Sequence, residues 1–509
     1  MSKRKTDVEN GLDPLKSRER PGQIDMDDND MGEFEDDFED EFESEDEIME
    51  AGVDGRPDAE REAEEETGDI TPLEHHPRRP RWLTRVAMDV DQGIFIVGRN
   101  KLEPGQTLAP DFTSYQMLHN LSTPWPCLSF DIVRDSLGDN RKAYPATMYT
   151  VAGTQADSAK SQDNQLLVNK LSGLGRMARQ DGDDSEGDDD DEDDDEDAEP
   201  VLESKSIPIG STTNRIRLHQ IPSDDPSRPP TTLTATMTES TKVFIHDVTP
   251  HLASFDNPGT IVTAQQNKPI STIKMHKSEG YAVDWSPTVP GGKLLTGDND
   301  GLIYVTTRTG GGGWVTDNRP FQGHEGSVEE IQWSPSEQSV FASASSDGTV
   351  RVWDVRSKSR KPAITVQVSS SDVNVLSWSR QTTHLLASGA DDGVWAVWDL
   401  RQWKTSSEKP QPLANFDFHK EQVTSLEWHP TDDSIMAVAA ADNTVTLWDL
   451  AVELDDEESK DTAGVQDMPP QLLFVHYLKD VKEVHWHPQI TGSLVATGEE
   501  FSVFRTINV

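Results

Sequence analysis

The sequence contains a single cysteine, Cys127, among 509 residues. One cysteine cannot form an internal disulfide, and it excludes a zinc site built from several cysteines. The chain also lacks any apolar run approaching the roughly 18 residues of a membrane span, and its first residues lack the apolar stretch of a secretory signal. We therefore expect a soluble, intracellular protein in a reducing compartment, with no membrane partner.

Positive charge is scarce, since 46 Lys and Arg face 93 Asp and Glu and the net charge is −47. Residues 25–50 contain sixteen acidic side chains and residues 181–199 contain fifteen, with no Lys or Arg in either tract. Such tracts cannot bury apolar surface, so we expect a disordered acidic region over residues 1–80, an acidic insert over 178–204 and an acidic loop over 453–467. Direct binding to nucleic acid is disfavoured, because phosphate contacts need clustered Lys and Arg.

The motifs of several enzyme classes are missing as well. No G-x-x-x-x-G-K-[ST] loop is present to hold phosphates, and no H-E-x-x-H pair is present to bind zinc. The aspartate runs lack the glycine that a calcium loop requires at its sixth position. No nucleophile, base and orienting group can be grouped from the sequence. We therefore expect no enzymatic activity, no catalytic residue, no cofactor and no metal site.

Residues 323–356 form the clearest motif in the chain. The segment begins with Gly323-His324 and ends near Trp353-Asp354, with two apolar runs and an Asp347-Gly348 turn between them. This pattern is typical of a WD40 repeat, which folds into one four-stranded blade of a β-propeller. The spacing predicts that Asp347 links His324, a strand hydroxyl such as Ser343 and the Trp353 indole in one buried network.

The same pattern recurs along the chain at the interval of one blade. Its inner strands carry Trp285, Trp333, Trp378, Trp428 and Trp486. Asp300-Gly301 is the corresponding turn of another copy, which has Thr306 at the tryptophan position. The residues predicted to have structural roles in these repeats are His324, Asp347, Trp353, Asp392, Trp398, His419, Asp442 and Trp448. We predict an all-β fold, a seven-bladed WD40 propeller over residues 81–509.

The first and last blades lack the full motif. We expect a short helix over residues 111–120, then a strand from Trp125 that opens blade 1 with residues 144–153 and 166–171. Residues 214–221, 232–237 and 242–247 form blade 2, with His246 at the tryptophan position. Two segments could complete the last blade and close the ring, namely residues 94–97 or the strand at Trp125.

Residues 33–43 (EFEDDFEDEFE) place three phenylalanines four residues apart within the densest negative charge. A helix would align them on one stripe, but repulsion between carboxylates opposes that helix in isolation. A cationic partner would remove the repulsion and bury the stripe. The predicted partner-binding residues are Phe34, Asp36, Asp37, Phe38, Glu39, Glu41 and Phe42 in this segment, and Asp188, Asp189, Asp190, Asp191 and Asp193 in the insert.

Several segments resemble one family. These are residues 115–119 (YQMLH), 125–135 (WPCLSFDIVRD), 144–147 (YPAT), 152–156 (AGTQA) and 214–217 (NRIR), together with the positions of the acidic tracts. They are similar to the glutamate-rich WD-repeat proteins, over about residues 81–509. The resemblance implies a chaperone, in the nucleus and nucleolus, that binds the basic large-subunit ribosomal protein L-three and delivers it to nascent 60S particles. Shuttling from the cytoplasm stays open.

Two alternatives remain. The chain is more distantly similar to histone-binding WD-repeat proteins, so a histone chaperone follows the same charge logic, with histones as partners. Residues 352–356 and 397–401 resemble the WDxR boxes of substrate receptors in cullin-type ubiquitin ligases, which would assign Arg356 and Arg401 to an adaptor. The basic cluster Lys3-Arg4-Lys5 is compatible with nuclear import.

Overall fold

The computed structural model describes residues 95, 101, 110–177, 199–225, 228–257, 259–403, 410–452 and 468–509. All of them belong to one compact unit, Gln92–Val509. Predictions for the acidic tail, for most of the acidic insert and for the loop over 453–467 lie outside these residues. Among the described residues, no helix is both long and apolar enough to cross a bilayer.

Twenty-nine strands are present in the described residues, and β1 (Tyr115–Leu121) precedes the blades. Blade 1 consists of β2 (Cys127–Val133), β3 (Ala146–Thr154), β4 (Gln165–Leu174) and β5 (Val201–Pro208). Blade 2 consists of β6 (Thr213–Ile221), β7 (Thr231–Thr238), β8 (Val243–Asp247) and β9 (Ser271–Ile273). Blade 3 consists of β10 (Ala282–Trp285), β11 (Lys293–Gly297), β12 (Leu302–Arg308) and β13 (Trp314–Thr316), and β14 (Phe321–Gln322) also pairs with β12.

The next blades repeat this plan. Blade 4 consists of β15 (Val328–Trp333), β16 (Val340–Ser345), β17 (Thr349–Asp354) and β18 (Ile364–Gln367). Blade 5 consists of β19 (Val373–Trp378), β20 (Leu385–Ala390), β21 (Trp395–Asp399) and β22 (Ala414–Phe416). Blade 6 consists of β23 (Val423–Trp428), β24 (Ile435–Ala440), β25 (Thr444–Asp449) and β26 (Leu472–Tyr477). Blade 7 consists of β27 (Glu483–Trp486), β28 (Ser493–Thr497), β29 (Phe501–Thr506) and the distant β1.

The first strands of consecutive blades pack against one another, and β2 also contacts β27, so the seven sheets form a closed ring. The prediction of a seven-bladed all-β propeller is therefore confirmed. The second strands are buried almost throughout, because neighbouring blades cover both of their faces; β24 is buried at every residue. Short helices connect some strands: α1 (Thr249–Asp256) and 3-10 turns at Phe112–Ser114, Ser158–Asp163 and Leu400–Gln402.

The helix predicted over residues 111–120 is wrong. A 3-10 turn ends at Ser114, and β1 then pairs antiparallel with β29 along its length. Tyr115, Met117 and Leu121 are buried, and they lie at intervals of two or four residues, which fits a strand with one face in the core.

The structure also corrects the predicted ring closure. β1 closes blade 7, whereas the strand at Trp125 is β2 and belongs to blade 1. Of residues 94–97, only Phe95 is described, and it lies in no strand. Closure thus joins strands that are far apart in sequence, which removes the exposed edge of the last sheet.

Candidate functional site

One end of the propeller collects the residues that the repeats predict to be structural. In each of blades 4, 5 and 6, the turn between the second and third strands accepts the loop that precedes the first strand. The backbone N–H of Ser346 donates to the Ser327 carbonyl at 3.1 Å, and Asp391 donates to Asp372 at 2.9 Å. Ala441 donates to Gln422 at 2.9 Å. We call this end of the ring the loop face.

Blade 4 contains the complete predicted network. His324 Nδ1 lies 3.0 Å from Asp347 Oδ2, and His324 Nε2 lies 2.6 Å from Ser343 Oγ. The Trp353 indole N–H donates to the same Ser343 oxygen at 2.8 Å. Because that oxygen accepts from the indole, its own proton is free for Nε2, so the contacts assign a neutral imidazole with its proton on Nδ1. Burial lowers the pKa of His324, which agrees with a neutral ring.

Asp347 receives further donors from its own turn. The backbone N–H groups of Glu325 and Thr349 donate to it at 3.1 and 3.0 Å, and Arg351 Nη2 lies 3.0 Å away. Burial alone would raise the pKa of Asp347, but the hydrogen bonds from His324 and Thr349 outweigh it and lower that pKa. The carboxylate therefore stays ionised at the centre of the blade.

Blade 6 builds the same network with a threonine in place of the serine. His419 Nδ1 lies 2.9 Å from Asp442 Oδ2, and Nε2 lies 2.9 Å from Thr446 Oγ1. The Trp448 indole donates to that hydroxyl at 2.7 Å. The structure thus brings all three predicted residues of this blade together.

Blade 3 differs from the repeat pattern in its acidic residue. His276 Nδ1 lies 2.7 Å from Asp298, and Nε2 lies 2.8 Å from Thr296 Oγ1. Asp298 is fully buried and stands two residues before the expected Asp300 of the turn. Sequence reasoning missed Asp298, although its position directly after the apolar run of β11 marks it as a turn residue.

Blade 7 replaces the aspartate with a tyrosine from the closing strand. His476 Nδ1 lies 2.9 Å from Tyr115 Oη, and Nε2 lies 3.1 Å from Ser502 Oγ. The imidazole stacks on Phe504, with ring centroids 4.1 Å apart. Burial lowers the pKa of His476 to about 3, so this ring is neutral. Tyr115 therefore ties β1 into the last blade by a polar contact as well as by the backbone.

Blade 5 keeps only part of the network. The Trp398 indole donates to Ser388 Oγ at 2.8 Å, as its counterparts do in blades 4 and 6. Asp392 is exposed and receives the Val394 N–H at 3.1 Å. No histidine of the described residues is bonded to this aspartate, since Ser369 stands at the position of His324.

The first strands line the channel at the centre of the ring, and an arginine bridges it. Arg215 of blade 2 places Nη2 3.2 Å from Glu330 of blade 4 and Nη1 2.9 Å from Glu483 of blade 7. Arg217 also contacts Glu483, at 2.8 Å. Burial would raise the pKa of Glu483, but Arg217, His485 and Arg215 outweigh it and hold that pKa well below its ordinary value. The channel is therefore crossed by buried ion pairs.

Side chains of the first strands also join neighbouring blades around the channel. In five of the seven junctions, a side-chain oxygen accepts the backbone N–H of the next blade's inner strand. The pairs are Asp131 with Leu218, Asp284 with Trp333, Gln332 with Trp378, Glu427 with Trp486, and Glu483 with Phe130, at 2.7 to 3.0 Å. Burial raises the pKa of Asp284 to about 7. These polar residues stabilise the ring and are not free for catalysis.

Carboxylates surround Tyr281 on the loop face, beside the channel. Burial raises the pKa of Tyr281, and the negative charges of Glu279, Glu329 and Glu239 raise it further. Asp372 acts in the same direction on Glu329, whose pKa burial also raises. We call Glu239, Glu279, Glu329 and Asp372 the acidic rim. A cationic partner would find compensation for these charges there.

Arg356 and Arg401 have the same geometry in consecutive blades. Each guanidinium folds back onto the aspartate two residues earlier, with 2.7 Å between Arg356 and Asp354 and 2.7 Å between Arg401 and Asp399. Both arginine side chains are largely exposed. The predicted partner-binding residues of the tail and insert lie outside the described residues, and within the described part no group of three or more His, Cys, Asp or Glu is placed to hold a metal ion.

The blades and their His–Asp–Trp links define the class of the protein as a WD40 β-propeller. Residues 316–354, 360–399 and 410–449 match the family described as WD domain, G-beta repeat. Residues 107–174 match the family described as the histone-binding protein RBBP4, a component of the CAF1 complex.

Curated relatives extend over most of the chain. It is 47% identical over 412 residues to ribosome assembly protein rrb1 of Schizosaccharomyces pombe, which covers 80% of this chain and 83% of that protein. It is 41% identical over 429 residues to glutamate-rich WD repeat-containing protein 1 of Dictyostelium discoideum, with 82% and 85% covered. It is also 41% identical over 431 residues to protein HEAT STRESS TOLERANT DWD 1 of Arabidopsis thaliana, with 81% and 91% covered. The chain belongs to the glutamate-rich WD-repeat protein family.

Proposed function

We propose that this protein acts in ribosome assembly as a binding protein for a basic large-subunit ribosomal protein of the L-three class. The observation that carries the proposal is the 47% identity to a ribosome assembly protein over 80% of the chain. In this proposal the protein holds its client after synthesis and delivers it to nascent 60S particles. It works in the nucleus and nucleolus, by binding and without catalysis.

The charge distribution supports this function. A ribosomal protein that binds RNA is strongly basic, and it binds stray nucleic acid unless its charge is masked. The acidic rim offers four carboxylates on a rigid face, and the acidic tracts add most of the net charge of −47. Such a surface accelerates association with a cationic partner and competes with RNA phosphates for it.

The rigidity of the rim follows from its support. Glu279 accepts from Asn214 Nδ2 at 3.1 Å, and Arg215 Nε donates to the Tyr281 carbonyl at 2.9 Å. Ser327 donates its hydroxyl to Glu329. Because these carboxylates are held before a partner arrives, little side-chain entropy is lost on binding.

Two deletions and a rim variant test the proposal with the purified full-length chain and the recombinant ribosomal protein. Removing residues 25–50 and 181–199 should weaken binding and flatten its dependence on salt, because fewer charges are screened. Glu239→Gln, Glu279→Gln, Glu329→Gln and Asp372→Asn together should weaken binding about tenfold, or about 1.4 kcal/mol. Isothermal titration at several salt concentrations measures both effects.

A matched variant separates the rim from net charge. Asp139→Asn, Glu203→Gln, Glu337→Gln and Asp433→Asn neutralise four exposed carboxylates that lie away from the loop face. This control should bind within about twofold of the wild type, since distant exposed charges are screened. Equal losses in the two variants would exclude the rim as the binding surface. Absence of binding by the wild-type chain would reject the client itself.

A histone client is the second candidate, and the match of residues 107–174 to a histone-binding family favours it. The same titration with histones H3 and H4 compares the two clients directly. The adaptor hypothesis makes a separate prediction, because Arg356→Ala with Arg401→Ala would then abolish capture of a ligase linker protein and leave client binding unchanged.

A further inference from the structure

Blade 5 contains an open pocket on the loop face with a volume of about 210 Å³. Asp392, Ser388 and Asn415 supply polar groups to its lining, and Val373, Val394 and Ala396 supply apolar walls. About 10–15 Å³ of such volume suffices for one water molecule, so this pocket has room for a side chain.

The pocket lies where blades 4 and 6 place a histidine of their own. His324 stands four residues before Val328, the first residue of β15, and His419 stands four residues before Val423, the first residue of β23. The same position before Val373 of β19 is Ser369. Ser369 accepts the Ser371 N–H at 3.0 Å, so its hydroxyl is used within its own loop.

A second group is missing at the next strand. Ser343 of blade 4 pairs with Arg351, which binds Asp347, whereas Ser388 of blade 5 pairs with Ala396. Asp392 therefore lacks both cationic or N–H donors that serve its counterpart. Within the described residues its carboxylate receives one hydrogen bond, from Val394, and forms no ion pair.

The polar atoms that remain are arranged as in a filled blade. Ser388 Oγ accepts from the Trp398 indole at 2.8 Å, as Ser343 Oγ accepts from Trp353. Gly348 and Gly393 hold both turns with φ of 75° and 82°, so Asp347 and Asp392 stand at matching places. The pocket thus presents a carboxylate that needs a donor and a hydroxyl proton that needs an acceptor.

This pair of requirements selects one side chain. A neutral imidazole donates from one nitrogen and accepts at the other, as His324 does between Asp347 and Ser343. Arginine and lysine have donors only, so they could pair with Asp392 but could not accept the Ser388 proton.

We propose that blade 5 carries a binding pocket for the imidazole of a histidine supplied by a partner protein, held between Asp392 and Ser388. The pocket takes in trans the group that blades 4 and 6 supply in cis. This inference goes beyond the proposed function, and its test does not require that any particular client be correct.

The Trp398 indole N–H reports on the pocket because it donates to Ser388. Full-length protein labelled with ¹⁵N at the tryptophan indoles is titrated with a blocked glycyl-histidyl-glycine tripeptide at about pH 8, above the ordinary histidine pKa of about 6.5. The Trp398 cross-peak should shift and saturate. The Trp353 and Trp448 cross-peaks should stay in place, since their blades hold histidines of their own. Tripeptides with arginine or lysine at the centre should shift Trp398 at least about threefold less.

Two variants complete the test. Ser369→His should fill the pocket from within and abolish the response of Trp398. Asp392→Ala, at an exposed position, should leave the fold intact and weaken tripeptide binding about tenfold. A Trp398 peak that does not move, or that moves equally with all three tripeptides, would show that the pocket holds water only. A response that survives in Ser369→His with unchanged affinity would place the binding elsewhere and overturn the proposal.

Discussion

Blades 4 and 5 share their backbone plan and their buried tryptophan, yet they differ in what surrounds the turn aspartate. In blade 4, Asp347 is bound by His324 and Arg351, and 10% of its side chain is exposed. In blade 5, Ser369 and Ala396 replace those two residues, and Asp392 is exposed beside a pocket. The tryptophan-to-hydroxyl bond is 2.8 Å in both blades.

The comparison separates what the blade needs from what it can lose. The bond between the indole and the strand hydroxyl fixes the third strand to the second, and both blades keep it. The histidine and arginine add donors around an ionised carboxylate, which stabilise the turn locally. A blade within a ring is supported by its neighbours, so it can lose this local contribution and gain an open surface.

The largest expected effect comes from removing the two aspartates in turn. Asp347→Ala leaves His324, Arg351 and two backbone N–H groups without their acceptor, so it should lower the free energy of unfolding by about 3 kcal/mol. Asp392→Ala removes a single hydrogen bond at an exposed site and should cost under about 0.5 kcal/mol. Denaturant unfolding followed by tryptophan fluorescence measures both. Equal losses would show that the two blades hold their aspartates in the same way.

A smaller effect should follow when blade 4 is converted toward blade 5. His324→Ser removes two hydrogen bonds and opens a cavity at a buried position, so we expect a loss of about 2 kcal/mol. The new cavity should also admit the histidine tripeptide, and the Trp353 indole should then respond to it as Trp398 does. A Trp353 peak that stays insensitive would mean that blade 4 closes over the vacancy.

The differences between these blades could be read from the sequence only in part. The tryptophan and aspartate spacings predict the blades correctly, because each repeat fixes a strand, a turn and a strand in order. The substitution of Ser369 for a histidine is visible in the sequence once the repeats are aligned on Val328 and Val373. That the pocket stays open required the structure, because only the packing of the walls shows that the described side chains around it leave the space unfilled.

The closing strand shows a second limit. Tyr115, Met117 and Leu118 suggest a helical face, while burial of Tyr115, Met117 and Leu121 reveals a strand. A short apolar run does not discriminate between the two periods, and its partner β29 lies almost 400 residues away in the chain. The bridge of Arg215 to Glu330 and Glu483 was missed for the same reason, since only ring closure brings these three blades together.

Acid extends the comparison to blade 7, whose His476 fills its place while blade 5 has no titrating ring there. Burial lowers the pKa of His476 to about 3, below an unfolded value of about 6.5. The unfolded chain therefore binds the proton first, so this contribution is present above pH 6.5 and is lost as the pH falls toward 3.

His476→Gln tests this contribution, because the amide can keep polar contacts to Tyr115 and Ser502 without titrating. The wild type should lose about 1.4 kcal/mol more than this variant between pH 7.5 and 5.5. Parallel unfolding curves at both pH values give the difference, and other buried histidines cancel from it. Identical pH dependence in the two proteins would mean that His476 is already protonated or freely exposed.

The smallest expected effect is a gain in stability. Ser369→His restores to blade 5 the donor to Asp392 and the acceptor for Ser388, so it should raise the free energy of unfolding by about 1 kcal/mol. Ser369→Asn serves as the matched control, since it adds a polar group too short to bridge both partners. A stability gain with histidine alone, measured together with loss of the tripeptide response, would show that the pocket of blade 5 trades local stability for an open binding surface. A loss of stability would show instead that the walls of the pocket have moved in and that blade 5 no longer has the shape of blade 4.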